Sequence, residues 1–381
     1  MTTLESKLPN VGLTIFTTMT NLANTHEAIN LSQGFPDFDV DPELIGLVEK
    51  YMRQGLNQYA PMQGLPALRK KIAEKVRNLY GTEYDPDTEI TITSGGTEAL
   101  FAAITTIVRT GDEVMLFDPA YDSYVPAIEL SGGKPVHLKL TPPEYGFNWD
   151  EVEDHLSDKT RLIIINFPHN PSGAVLKPAD IEQLKQIVEK YDLYILSDEV
   201  YEHIIFDGLS HLSMAGVPEL AQRSFVVSSF GKTYHTTGWK IGYCLAPKDL
   251  TAEFRKVHQY LTFSSNTAIQ AAYAEFLENE NAYLRLPEFY QEKRDFFVDK
   301  IKGSRFKVIP SHGSFFQLLD YSDISDMTDT AYAEKLIIDH KVAAIPPSVF
   351  YKDQDDFKVL RFCFAKKNET LEEAAERLSK V

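Results

Sequence analysis

Short apolar runs alternate with helix-forming stretches from residue 89 to residue 246, and no other feature of the chain limits its fold as much. The runs are EITIT (89–93), EVMLF (113–117), PVHLKL (135–140), RLIIIN (161–166), LYILSD (193–198), SFVVSS (224–229) and IGYCLA (241–246). Segments such as TEALFAAITTIV and PADIEQLKQIVEKY, which separate the first five, have helix-period or helix-forming character. Parallel neighbours need long crossovers, and those crossovers cover both sheet faces. The alternation therefore predicts an α/β fold with a mostly parallel sheet of seven strands sandwiched by helices. The link between SFVVSS and IGYCLA is too short for a helical crossover, so that pair is expected to be antiparallel with a short loop between.

From about Thr251 the pattern changes. Long charged helical stretches, TAEFRKVHQYLTF and YLRLPEFYQEKRDFFVDKIKG, lead to short strands in FFQLLD, VAAIP and KVLRFCFA and to a last helix, TLEEAAERLSKV. This predicts a smaller α+β domain, packed closely on the first because no flexible linker or repeat intervenes. A chain of 381 residues, 43% hydrophobic, can bury such a core. Its longest aliphatic runs, such as LIII (162–165), are too short for a bilayer, and MTTLESKLPN lacks the pattern of a secretory signal. The expected location is the cytoplasm. Cys244 and Cys363 lie in strand-like runs without metal or disulfide spacing, as buried thiols would in a reducing compartment. A net charge of −17 argues against nucleic acid or an anionic membrane as partner.

In open α/β sheets ligands bind beyond the carboxyl ends of the strands, so polar residues there carry the chemistry. TITSGGTEAL reads as strand, Gly-Gly turn and helix start at Thr97. Its backbone N–H groups suit a phosphate, although a tight turn wants glycines in any case. In IINFPHNPSG two prolines stiffen a loop that presents Asn170. Asp198 follows the strand of YILSDEVYEH, with Tyr201 close behind, as a helix cap or as the partner of a protonated ring nitrogen. Lys232, in SSFGKTYHTTGWKIGY, lies between two buried strands near Ser229, Gly238 and Lys240, where its pKa can fall and its amine act as nucleophile. A phosphate cradle, an amide, a carboxylate, a tyrosine and a lysine together are what pyridoxal 5'-phosphate requires.

Seven ordered motifs, LSQGFPDF, NQYAPMQGLPALR, DPAYDSY, NFPHNPSG, SDEVYEH, SSFGKTYHTTGWKIGY and VLRFCFAK, resemble the fold-type I, pyridoxal-phosphate-dependent aminotransferases of class I/II. Within that family they look most like the kynurenine and bacterial methionine aminotransferase branch. The resemblance runs from about Ile15 to the C-terminus. It implies an N-terminal arm with part of the small domain (1–42), a large cofactor-binding domain (43–278) and a C-terminal small domain (279–381).

The same resemblance implies roles. Lys232 would hold the cofactor aldehyde and move the substrate proton, and Asp198 would keep the ring nitrogen protonated. Asn170 and Tyr201 would bond the phenolate oxygen, and Tyr121 would stack on the ring. Gly96, Thr97, Ser229 and Lys240 would bind the phosphate, joined by Tyr59 from the other subunit of an obligate homodimer. Many relatives carry arginine where Lys240 stands, but the kynurenine-like branch shares the lysine. Arg361 would clamp the substrate carboxylate, near the backbone of Gly34 and beside Asn170, with Phe16 as an aromatic wall.

The implied reaction is ping-pong transfer of the α-amino group of methionine and other apolar or aromatic amino acids, kynurenine included, to a 2-oxo acid. A β-lyase acting on cysteine S-conjugates or cystathionine would use the same fold and lysine. A ligand-binding regulator on this fold would usually add a DNA-binding helix-turn-helix, for which the short arm leaves no room.

Overall fold

The computed structural model describes residues 4–381, so Met1–Thr3 of the arm lie outside the described residues. Twelve strands form among them: β1 (Ile29–Asn30), β2 (Ile90–Thr93), β3 (Glu113–Asp118), β4 (Lys134–Lys139), β5 (Thr160–Asn166), β6 (Tyr194–Asp198), β7 (Ser224–Ser229), β8 (Gly242–Leu245), β9 (Lys307–Val308), β10 (Phe316–Asp320), β11 (Val342–Ala343) and β12 (Val359–Cys363). Seven make one sheet in the order β2-β8-β7-β6-β5-β3-β4. β3 to β7 pair in parallel, whereas β8 runs antiparallel to both β7 and β2, as the short link requires.

The apolar runs are continuous because both faces are buried. Ile163, Ile165, Ile195 and Val226 point into one core, and Leu162, Ile164, Leu196 and Val227 into another on the opposite face. The helix Pro178–Tyr191 shows how the covers form. Pro178 stands at its first position, Asp180 accepts from the Lys177 N–H at 2.8 Å, and Ile181, Leu184, Ile187 and Val188 make the buried stripe. The helix Gly95–Ile107 buries residues nearly all round, which fits its place between sheet and outer helix.

A second, three-stranded antiparallel sheet is ordered β12-β10-β9, and β1 from the N-terminal part pairs in parallel with β11. β1 and β9 have two residues each, too few to show alternation in sequence. No helix of the described residues is long and apolar enough to cross a membrane. Both cysteines are free and buried.

Two local features aim the strand ends. At Gly242 a Cβ would lie 2.8 Å from Gly95 C and 3.0 Å from Gly96 N, so only glycine lets the Gly-Gly turn settle on β8. Behind Tyr201, the Lys75 ammonium lies 2.7 Å from Glu202 Oε1, each side chain being 4% exposed. Burial opposes ionisation of Glu202, yet Lys75, His203 and a hydrogen bond from Tyr80 hold its carboxyl below the usual range. That pair ties the chain around Tyr201 to the helix Pro66–Tyr80.

Candidate active site

One cavity of about 260 Å³ opens at the carboxyl ends of β5, β6 and β7. Twelve of the thirteen residues singled out in the sequence line it; Tyr59 does not. The register makes this convergence possible, since Asn166 pairs with Asp198 across β5 and β6, and Ser229 with Gly242 across β7 and β8.

Lys232 departs from expectation in its backbone. The loop foreseen around it is one helical turn, Phe230–Thr233, because Phe230 stacks on Tyr273 at 4.6 Å and draws the chain into the core. The turn points Lys232 Nζ at Gly34 O, 2.8 Å away, near the rings of Phe315 and Tyr201. Burial lowers this ammonium to about 8, with Arg361 and Lys240 acting in the same sense and Cys363 and Asp198 against it.

Asp198 is 3% exposed and accepts from Tyr124 Oη at 2.6 Å and from the Val200 N–H at 3.3 Å. Burial raises its carboxyl to about 6, held down by those two bonds. Tyr201 is 3% exposed, and burial holds its phenol well above the ordinary range.

One end of the cavity is formed by the turn after β2. The helix runs from Gly95, two residues before the expected Thr97, and Gly95 itself sits at φ +77°, a turn conformation that favours glycine. Lys240 Nζ would lie 3.4 Å from a Cβ at Gly95, so its ammonium hangs over the turn. Thr97 and Ser229 complete that end of the lining. Tyr121 lines the cavity with its ring edge-on to Tyr124, centroids 5.7 Å apart.

At the other end Arg361, on β12, is 1% exposed. Nη1 donates to Asn170 Oδ1 and Nη2 to Ser32 O, both at 2.8 Å, while its buried Nε has no partner. Phe316 lies 4.0 Å and Phe16 5.4 Å from the guanidinium carbon. Burial lowers the guanidinium to about 10, still charged near neutrality. Phe316 was not anticipated: in FFQLLD it reads as an ordinary core residue, and only β10–β12 pairing brings it to Arg361. Gly34 is packed so closely that a Cβ would meet Phe316 Cζ at 2.9 Å.

Tyr59 stands apart, 84% exposed, edge-on to Phe263 at 5.4 Å.

The Lys232 amine, the buried Asp198 carboxylate, the Gly95–Gly96 turn and the Arg361 guanidinium share one cavity, a set of groups with the chemistry to exchange amines. Comparison with known proteins points the same way. The family model for aminotransferase class I and II matches residues 26–378. The chain is 52% identical to the methionine aminotransferase of Escherichia coli over 99% of its length and 98% of that protein's. It is 33% identical to human kynurenine–oxoglutarate transaminase 1, covering 94% and 93% of the two chains. A solved E. coli structure assigned a methionine aminotransferase function superposes with TM-score 0.98 at 52% identity, covering 100% of both chains.

Proposed function

The chain belongs to the class I and II aminotransferases, which use pyridoxal 5'-phosphate, and from that premise we propose that it moves the α-amino group of methionine and other apolar or aromatic amino acids, kynurenine among them, to a 2-oxo acid in a ping-pong cycle. The observation that carries this is a single cavity in which the Lys232 amine, the buried Asp198 carboxylate and the half-satisfied Arg361 guanidinium converge, with the Phe16 ring beside Arg361.

The residues fit the cofactor. When bound, it supplies an aldehyde that exchanges amines and a ring that withdraws electrons from the substrate Cα. The N–H groups of the Gly95–Gly96 turn, with Thr97, Ser229 and Lys240, would hold its phosphate. Asp198 would keep the ring nitrogen protonated. Asn170 has its oxygen engaged by Arg361, which leaves its amide N–H to donate to the phenolate together with Tyr201. Tyr121 would lie on the ring face, and Lys232 would hold the aldehyde.

Arg361 grips the substrate carboxylate, close to the Gly34 backbone, and so orients Cα toward Lys232. The Lys232 amine would then take the Cα proton, for which a pKa of about 8 suits it. A panel of amino donors against two or three oxo acids tests the reading. Oxo-acid-dependent product is expected to be highest with methionine and aromatic donors, whereas pyruvate and ammonia from a cysteine conjugate as the main products would indicate a β-lyase.

Phe16 should set part of that preference. A methionine thioether against an aromatic edge gains about 0.3–1.5 kcal/mol. Phe16→Ala is expected to lower kcat/KM for methionine and aromatic donors by up to about tenfold. Alanine, too short to reach the ring, should change little. A uniform fall across donors with a lower Tm would leave Phe16 a packing role only.

The enzyme would act as a homodimer in the cytoplasm, where buried free thiols stay reduced. Tyr59 is exposed beside Phe263, three residues before which Tyr260 is 87% exposed, a surface suited to a second copy whose cavity Tyr59 would enter. Tyr59→Phe should weaken cofactor retention by about fivefold, one hydrogen bond's worth. Mixed with Lys232→Ala, it should form hybrid dimers with one fully native site. A monomer in sedimentation with full activity would refute the dimer.

A further inference from the structure

We infer that Tyr124 is a positioning residue: its hydroxyl orients the Asp198 carboxylate and keeps it ionised, so that the proton shared between Asp198 and the cofactor's ring nitrogen stays on the nitrogen. The inference rests on reading Asp198 as the partner of that nitrogen.

Tyr124 opens the helix Tyr124–Leu130, is 2% exposed and does not line the cavity, so whatever it does there passes through another group. Its Oη lies 2.6 Å from Asp198 Oδ2, a short contact of the kind a charged acceptor makes. The other carboxylate oxygen has only the longer bond from Val200 N–H and is the one left for a ligand. Burial holds the Tyr124 phenol well above its ordinary range, and the neighbouring Asp198 charge raises it further. The hydroxyl therefore keeps its proton at any working pH and is a permanent donor.

The groups around Asp198 leave this role to Tyr124. Burial pushes the carboxyl up, and the Tyr124 bond is the largest influence pulling it down, ahead of Val200 N–H and Lys232. Glu199 opposes ionisation, while Tyr121 and Tyr201 are phenols held neutral by burial. Lys232 would spend its charge in holding the aldehyde. Apart from the ring nitrogen's own charge, what remains among the protein's groups to keep this buried carboxylate ionised is then the Tyr124 hydroxyl and one backbone N–H.

The plain alternative is packing: Tyr124 belongs to a buried cluster and meets Tyr121 edge-on. Tyr124→Phe keeps the ring and removes only the hydroxyl, so the two readings part. In the protein without cofactor, the Asp198 carboxyl followed by carbon NMR is expected to titrate near 6 and to move up by about one unit in the variant. In the holoenzyme loaded with ¹⁵N-labelled pyridoxal phosphate, the ring nitrogen should resonate as protonated in the parent and move toward the neutral pyridine position in Tyr124→Phe. A protonated nitrogen in both proteins, or an unmoved Asp198 titration, would overturn the role of Tyr124 while leaving Asp198 in place. A neutral nitrogen in the parent would overturn the Asp198 reading and this inference with it.

Discussion

Lys232→Ala is expected to abolish turnover, by at least about 10⁴-fold, while the fold and the Gly95–Gly96 turn persist. The magnitude follows from the two jobs proposed for one amine, holding the cofactor and moving the Cα proton. Its environment suits both. At pH 7.5 a lysine titrating near 8 is about one quarter free amine, against about one thousandth for an exposed lysine. Because the free amine is the reactive form, cofactor capture by the unloaded protein should accelerate as pH rises and level off above about 8. Visible absorbance of the purified protein and borohydride fixation followed by peptide mass analysis check the assignment. Lys232 should carry the fixed group, and the variant should carry none. An adduct that survives in Lys232→Ala, for example on Lys240, would sink it.

The parts of this site that were legible in the sequence are those written locally. A strand buried on both faces reads as an unbroken apolar run, and a polar residue at or just past its carboxyl end stands out against it, as Asp198 does on β6 and Asn170 and Lys232 do a few residues beyond β5 and β7. Tyr124 could not be read this way. It stands three residues after Tyr121 in one motif, yet its partner is Asp198, on a strand two neighbours away in the sheet. Phe316 is hidden for the same reason, since an aromatic in an apolar strand declares no partner until β10 pairs with β12. The glycine turn was legible as a turn, but its close packing on β8, where a Cβ at Gly242 would meet Gly95 and Gly96, was not. Phe16 shows the limit from the other side: its helix pattern permits a core residue, and only tertiary packing seats the ring against Arg361 and Phe350.

Arg361 carries the second large expected effect. Its guanidinium is buried with two donors engaged and Nε without a partner, an arrangement that costs about 1–3 kcal/mol when left unsatisfied. Phe316 and Phe16 restrict the plane of the group, and Asn170 and Ser32 fix its rotation. Such a preset fork suits a planar carboxylate, and a lysine cannot reproduce it although the charge is kept. Arg361→Lys should therefore lower kcat/KM for methionine by roughly 30- to 5,000-fold, from the 2–5 kcal/mol lost with one partner of a buried charge pair. The oxo-acid acceptor bears the same carboxylate, so its kcat/KM should fall in step. The decisive control is the amine that methionine becomes when its carboxylate is removed. The parent enzyme should use that amine poorly, and the variant about as poorly as the parent, so that the preference for the amino acid collapses. If the amino acid and its decarboxylated amine lose rate in parallel, Arg361 supports the fold of the pocket and another group binds the carboxylate.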